Sequence, residues 1–92
     1  MRTMEKKFPV GAVLATPNVL RKLSPKDVFT GLNRHRSGDW GEVCPEDGKA
    51  NDLALQCGER LLSAYTSDHG VKFWIITEAD RSSTTVLLPE DY

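Results

Sequence analysis

LLSAYTSDHGVKFWIITEADRSSTTVLL, residues 61–88, is the stretch whose reading decides the fold. Leu61 to Thr66 and Val71 to Thr77 are rich in β-forming residues, and Asp68-His69-Gly70 between them is a hairpin turn signal. In the second segment Val71, Phe73 and Ile75 alternate with Lys72, Trp74 and Ile76. Both faces are largely apolar, which predicts a strand in the middle of its sheet. Glu78 to Ser82 then leads into a third strand, Ser83 to Leu88, and Pro89 stops it. Three antiparallel strands in a meander are therefore expected at the C-terminal end.

Upstream, the period changes from two to that of a helix. Thr16-Pro17 and Ser24-Pro25 each read as an N-cap followed by proline in the first turn. A short helix carrying Val19, Leu20 and Leu23 is expected first. A second, with Val28, Phe29 and Leu32 on one face, ends at Gly38. Pro45-Glu46-Asp47 opens a third helix, whose stripe reads Ala50, Leu53, Ala54 and Cys57, and Gly58 ends it. Asp47 and Asn51 share another face of it, solvated or near the Trp40 loop. Phe8 to Ala15 is apolar and extended, and Pro9 suits an edge, so a fourth, N-terminal edge strand is possible. The fold class is α+β, with two or three short helices before the meander, and residues 1–92 form a single domain.

Composition excludes several classes of function. Twelve basic and thirteen acidic side chains leave a net charge of −1. That is neither a polybasic nucleic-acid arm nor an acidic DNA mimic. No apolar run reaches the ~18 residues of a membrane span, and Met1 to Lys7 is too polar and too short for a signal peptide. The expected setting is cytoplasmic, with Cys44 and Cys57 reduced. Cys57 is read as a small apolar residue on a helix face and Cys44 as packing just before the helix. The cysteines, His35 and His69 are too scattered for a zinc site, so neither metal nor cofactor is expected.

The charge is uneven along the chain. Residues 1–36 hold eight basic and two acidic side chains; residues 37–92 hold four basic and eleven acidic ones. One side of the molecule facing an anionic partner is one reading. Compact α+β domains interleave their halves, so mutual cancellation is favoured.

Two clusters carry candidate chemistry. In RHRSGDWG, residues 34–41, His35 sits at a helix C-terminus, where the dipole favours its protonated form, and Asp39 is placed to orient it. The structural alternative has Asp39 bonding turn amides and Trp40 lying over the core. In TEADRSSTT, residues 77–85, Glu78 and Asp80 point the same way if the backbone is extended, as a cation site or shared-proton pair would need. An Asp80–Arg81 or Asp39–Arg81 ion pair is the plainer fate. Phosphate loops, HExxH and GxSxG are absent. The candidate binding residues are His35, Asp39, Trp40, Asp80, Arg81 and Tyr92, and they form one site only if the Asp39–Trp40 turn rests beside the Asp80–Arg81 crossover. Trp74 is read as core.

HRSGDWG (35–41), GERLLSAY (58–65) and WIITEADRSSTTVLLPEDY (74–92), with Glu46, Asp47 and Asn51, resemble a family of short bacterial plasmid-related proteins. The resemblance runs from about Phe8 to Tyr92. It implies carriage on plasmids, phages and integrated elements, and it implies no particular activity. Some relatives bear the label of a type I restriction enzyme M subunit. Ninety-two residues cannot hold a doubly wound cofactor domain with its Gly-rich turn, so methyl transfer is not expected. Two functions are expected in its place. One is a non-catalytic binding or regulatory module with a protein partner, acting for a mobile element against host defence. The other is a small ribonuclease laid out like toxin–antitoxin toxins, with His35, Arg34, Arg36, Arg60 and Arg81 around the scissile phosphate. Against the second, the sheet-forming half is acidic and a poor surface for nucleic acid.

Overall fold

A computed structural model describes residues 6–92; Met1 to Glu5, with most of the segment weighed as a signal peptide, lies outside the described residues. Strand β1 (Ala12–Ala15) leads into helices α1 (Pro17–Lys22), α2 (Pro25–Arg36) and α3 (Pro45–Cys57). Strands β2 (Leu61–Thr66), β3 (Lys72–Thr77) and β4 (Ser83–Leu87) follow, and a 3₁₀ turn spans Pro89–Asp91.

The caps are where the sequence places them. Thr16 Oγ1 accepts from the Val19 amide, and Ser24 and Asp27 exchange hydrogen bonds in a capping box. Gly58 closes α3 in the left-handed region. The sheet departs from the expected meander. Its order is β1-β4-β3-β2, and β1 runs parallel to β4 with Val13 opposite Thr84. The strand from the N-terminal segment is thus real but short, and it makes the sheet mixed. The helices between β1 and β4 supply the long crossover that parallel pairing needs.

One sheet face carries the core. Leu61, Tyr65, Phe73, Ile75, Thr77, Thr84 and Val86 point to the helices and are buried, by the alternation of the strands and their register. Val19, Leu23, Tyr65, Phe73, Ile75, Val86 and Leu88 form one cluster; Phe8, Trp40, Ala54 and Leu61 form a second. Gly31 lets α2 lie close to the sheet, since a Cβ there would stand 2.8 Å from the Phe73 ring.

Two helix faces are rotated from their sequence reading. In α2 the residues turned inward are Gly31 and His35, with Val28 and Leu32 half-buried, while Phe29 points outward. In α3 they are Asn51 and Ala54; Leu53, Ala50 and Cys57 are exposed, and so is Cys44. The reason for the second rotation is polar. The Asn51 amide donates to the Leu62 carbonyl at 2.7 Å and accepts from the Leu62 amide at 3.2 Å. It behaves as a neighbouring strand would.

Next to it, the Ala64 amide donates to Trp40 O at 3.2 Å and the Glu42 amide donates to Ala64 O at 2.7 Å. The outer edge of β2 is therefore occupied at Leu62 and Ala64. Replacing Asn51 by leucine leaves both main-chain groups of Leu62 without their partner, and a loss of about 2 kcal/mol is expected. Urea unfolding of Asn51→Leu beside the parent chain measures it.

Candidate functional site

His35 is carried by the last turn of α2 and points into the sheet, fully buried. Its Nδ1 lies 2.5 Å from Ser63 Oγ and its Nε2 2.8 Å from Thr77 Oγ1. Thr77 and Thr84 hydroxyls are 2.7 Å apart, and Thr84 Oγ1 donates to the Val10 carbonyl at 2.7 Å. The last bond fixes the direction of the rest. Thr84 gives its proton to Val10, so it accepts from Thr77. Thr77 then accepts from Nε2–H, and a neutral imidazole takes the Ser63 proton at Nδ1. Every proton of the chain is engaged.

Phe8 and Trp40 stand edge-on to the imidazole, with ring centres at 5.2 and 5.8 Å. Burial, aided by the charge of Arg81, pushes the His35 pKa down to about 4. The imidazole is neutral near pH 7. The reading of a protonated His35 at a helix end is corrected: desolvation outweighs the helix dipole.

Asp39 does not orient it. Arg34 Nε and Nη2 donate to the Asp39 carboxylate at 2.7 and 3.3 Å, and the Gly41 amide donates to it at 3.1 Å. Arg34 holds that carboxyl below the usual range. The Asp39 carbonyl accepts from the Tyr65 hydroxyl at 2.6 Å. Trp40 is buried, with Nε1 donating to Asp52 at 2.9 Å. The expected ranking of the two tryptophans is reversed, for Trp74 is only half-buried.

Asp80 and Arg81 form no ion pair with each other, and Arg81 forms none with Asp39. Asp80 accepts from the Ser82 amide at 3.0 Å, and the backbone turns back at Arg81, which sits at φ 62°. Glu78 and Asp80 are therefore not an extended pair. The Arg81 guanidinium donates to the carbonyls of Glu59 (2.6 Å), Glu78 (3.1 Å), Ala79 (3.2 Å) and Ala54 (3.2 Å). It ties the end of α3 to the β3–β4 turn, where a cation complements the helix dipole. It also lies over the Phe8 ring at 5.7 Å.

Phe8 thus gathers three of the candidate residues, since its ring also stacks on Trp40 at 6.2 Å and meets His35. Asp39 and Asp80 are exposed and turn to their own loops. Tyr92 is on the other side of the sheet. It packs on Trp74 at 5.6 Å, and Arg60 lies over its ring at 5.7 Å. Among the described residues, every buried side-chain nitrogen or oxygen has a hydrogen-bond partner, and no three His, Cys, Asp or Glu side chains gather as metal ligands do. No helix of the described residues is long and apolar enough to cross a membrane.

An open apolar surface lies elsewhere, on the two helices whose apolar residues the sequence groups as Val19, Leu20, Leu23 and as Val28, Phe29, Leu32. A groove of about 360 Å³ runs between α1 and α2, lined by Val19, Leu20, Leu23, Val28, Phe29 and Leu32, with Ala15 of β1 in its wall. The signal was present in the sequence. Residues adjacent in a helix lie about 100° apart, so of Val19 and Leu20, or of Val28 and Phe29, only one can point straight at the core and its neighbour lies at the margin of the stripe. Beside the groove, the outer edge of β1 carries no strand among the described residues. No protein-family model, curated protein or solved structure matches the chain.

Proposed function

We propose that this chain is a non-catalytic protein-binding module whose working surface is the β1 edge together with the α1–α2 groove. One observation carries the reading. Among the described residues six large apolar side chains are exposed, and three of them, Val13 (47%), Leu20 (71%) and Phe29 (65%), come from β1, α1 and α2 on the helix side of the sheet. Exposed apolar surface gathered on neighbouring elements marks an interaction site. Three of the groups that catalysis would draw on are engaged by the protein's own partners: His35 in the buried hydroxyl chain, Arg34 on Asp39 and Arg81 on four carbonyls. The ribonuclease reading loses its base and two of its cations in this way. The resemblance to plasmid- and phage-borne proteins supports a role in which a mobile element engages a host protein, in the cytoplasm, where exposed Cys44 and Cys57 stay reduced.

The test pairs the parent chain with a Leu20→Asp, Phe29→Asp double variant, each immobilised in host lysate. Both residues are exposed, so an unchanged melting curve is expected. The parent is expected to retain a partner that the variant retains roughly tenfold less. Identical retention by the two proteins overturns the proposal, as does cleavage of total RNA by the purified chain.

A further inference from the structure

The two edges of the sheet are treated differently, and the difference points to a mode of binding. On β2 the outward main-chain groups of Leu62 and Ala64 are taken by Asn51 and by residues 40–42. On β1 the Ala12 amide donates to Ser82 O at 3.0 Å and the Thr16 amide to Val86 O at 3.1 Å. Main-chain groups alternate in direction along a strand. Residues 12, 14 and 16 therefore face β4, and the N–H and C=O groups of Val13 and Ala15 face outward. Ala-Val-Leu-Ala, residues 12–15, has no charge and no proline, the usual devices that keep another strand off an edge.

Register links this edge to the groove. Val13 and Ala15 stand opposite Thr84 and Val86, so their side chains are on the helix side of the sheet. A strand laid along β1 puts every second side chain on that same side, next to the groove that Ala15 helps to line.

Charge selects the occupant. All of β1, α1 and α2 belongs to the basic part of the chain. Residues 6–36 hold seven basic side chains and a single carboxylate, Asp27, which is tied into the cap of α2 by Ser24; Asp91 and Glu90 reach this surface from the C-terminal turn, Asp91 accepting from Thr16 and Asn18. Lys22 is paired with Glu90 and Arg34 with Asp39. Of the cations that form no ion pair among the described residues, Lys6, Lys7 and Arg36 stand together with Pro9 and Val10 at the start of β1, whereas Lys26 lies on the opposite flank of α2 beside Tyr65 and Thr66. A second copy would bring the same cations towards each other. An acidic segment would neutralise them.

We infer that β1 accepts an extended, acidic segment of a partner protein as a fifth strand, with its apolar side chains entering the α1–α2 groove. This rests on the binding-module reading and adds the chemistry and conformation of what is bound. Main-chain bonds supply affinity in this mode, and the alternate side chains supply selectivity.

The probe is a capped eight-residue peptide alternating valine and glutamate, with a valine–lysine peptide as its charge-reversed control, followed by amide chemical shifts and fluorescence anisotropy. The valine–glutamate peptide is expected to shift the amides of residues 12–16 and the groove residues. It should bind at least roughly tenfold more tightly than the control and weaken in 0.5 M salt. Val13→Pro removes an outward N–H and none of the bonds to β4, so it should weaken the peptide about tenfold with little change in melting temperature. Lys7→Glu with Arg36→Glu, at the start of β1 beside Pro9 and Val10, should abolish the preference for glutamate without touching the edge.

Equal binding of the two peptides, no binding of either, or indifference to Val13→Pro overturns the inference. A concentration-dependent dimer that Val13→Pro dissolves assigns the edge to a second copy and also overturns it. The two proposals fail separately. If the Leu20→Asp, Phe29→Asp variant loses its lysate partner while Val13→Pro keeps it, the module stands and strand addition falls.

Discussion

Acidification from pH 6.5 to pH 4 is expected to remove about 3 kcal/mol of folding stability, with His35 as the cause. In the folded chain its pKa lies at about 4; in the unfolded chain it returns to about 6.5. Below 6.5 the unfolded state takes up a proton that the folded state refuses. The stabilisation tied to the neutral ring is therefore complete above pH 6.5 and declines steadily until the folded pKa is reached. Asp27, Asp39, Asp80 and Asp91 are held below the ordinary carboxylate value of 3.8, so their own losses begin in more acid solution. Chemical denaturation at half-unit steps of pH should give a slope that His35→Leu abolishes. That variant leaves the Ser63 and Thr77 hydroxyls without the imidazole, at a cost of about 2–4 kcal/mol near neutrality. The two stability curves are expected to converge near pH 4. A parent chain with a flat profile from pH 7 to pH 4.5 would falsify the buried neutral imidazole.

Gly41→Ala is expected to be the most damaging replacement of a single hydrogen by a methyl group. The backbone at Gly41 has φ +75°, and a Cβ there would stand 2.0 Å from the Ala64 carbonyl oxygen and 2.6 Å from the Tyr65 ring. The neighbour is main chain of a paired strand and cannot swing aside. Relief requires residues 40–42 to lift from β2, which breaks the Ala64–Trp40 and Glu42–Ala64 bonds and shifts the indole that packs on Phe8 and His35. The expected cost is about 3–5 kcal/mol. Gly58→Ala is the control. Its backbone is also left-handed, at φ +71°, but open space surrounds it, so only the conformational penalty of about 1–2 kcal/mol applies. Urea midpoints that fall equally for the two variants would show that contact with Ala64 is unimportant.

Much of the architecture is legible in the chain because its signals are local. Thr16-Pro17, Ser24-Pro25 and Pro45 mark helix starts by capping chemistry, and alternation within residues 61–88 marks the strands. The pairing of β1 with β4 is not local. Val13 meets Thr84 from 71 positions away in sequence number, and nothing in Ala-Val-Leu-Ala states whether it runs with or against its neighbour. Polar core residues also escape a hydrophobic pattern. Asn51 reads as solvated or near the Trp40 loop and His35 as charged, whereas both are buried and hydrogen-bond to residues 11 to 42 positions away. Of the candidate residues, His35, Trp40 and Arg81 meet around Phe8, a side chain that carries no chemistry and so drew no attention as a hub. Asp39, Asp80 and Tyr92 were legible as residue types suited to a site, but their placement depends on turns and on which sheet face each segment reaches.

With Leu62 and Ala64 of β2 already taken by Asn51 and residues 40–42, the two flanks of the sheet are unlike. Copies of the chain therefore cannot stack β1 on β2 head to tail, the arrangement that would run on into a filament. Two copies joined through β1 would close on each other as a finite pair.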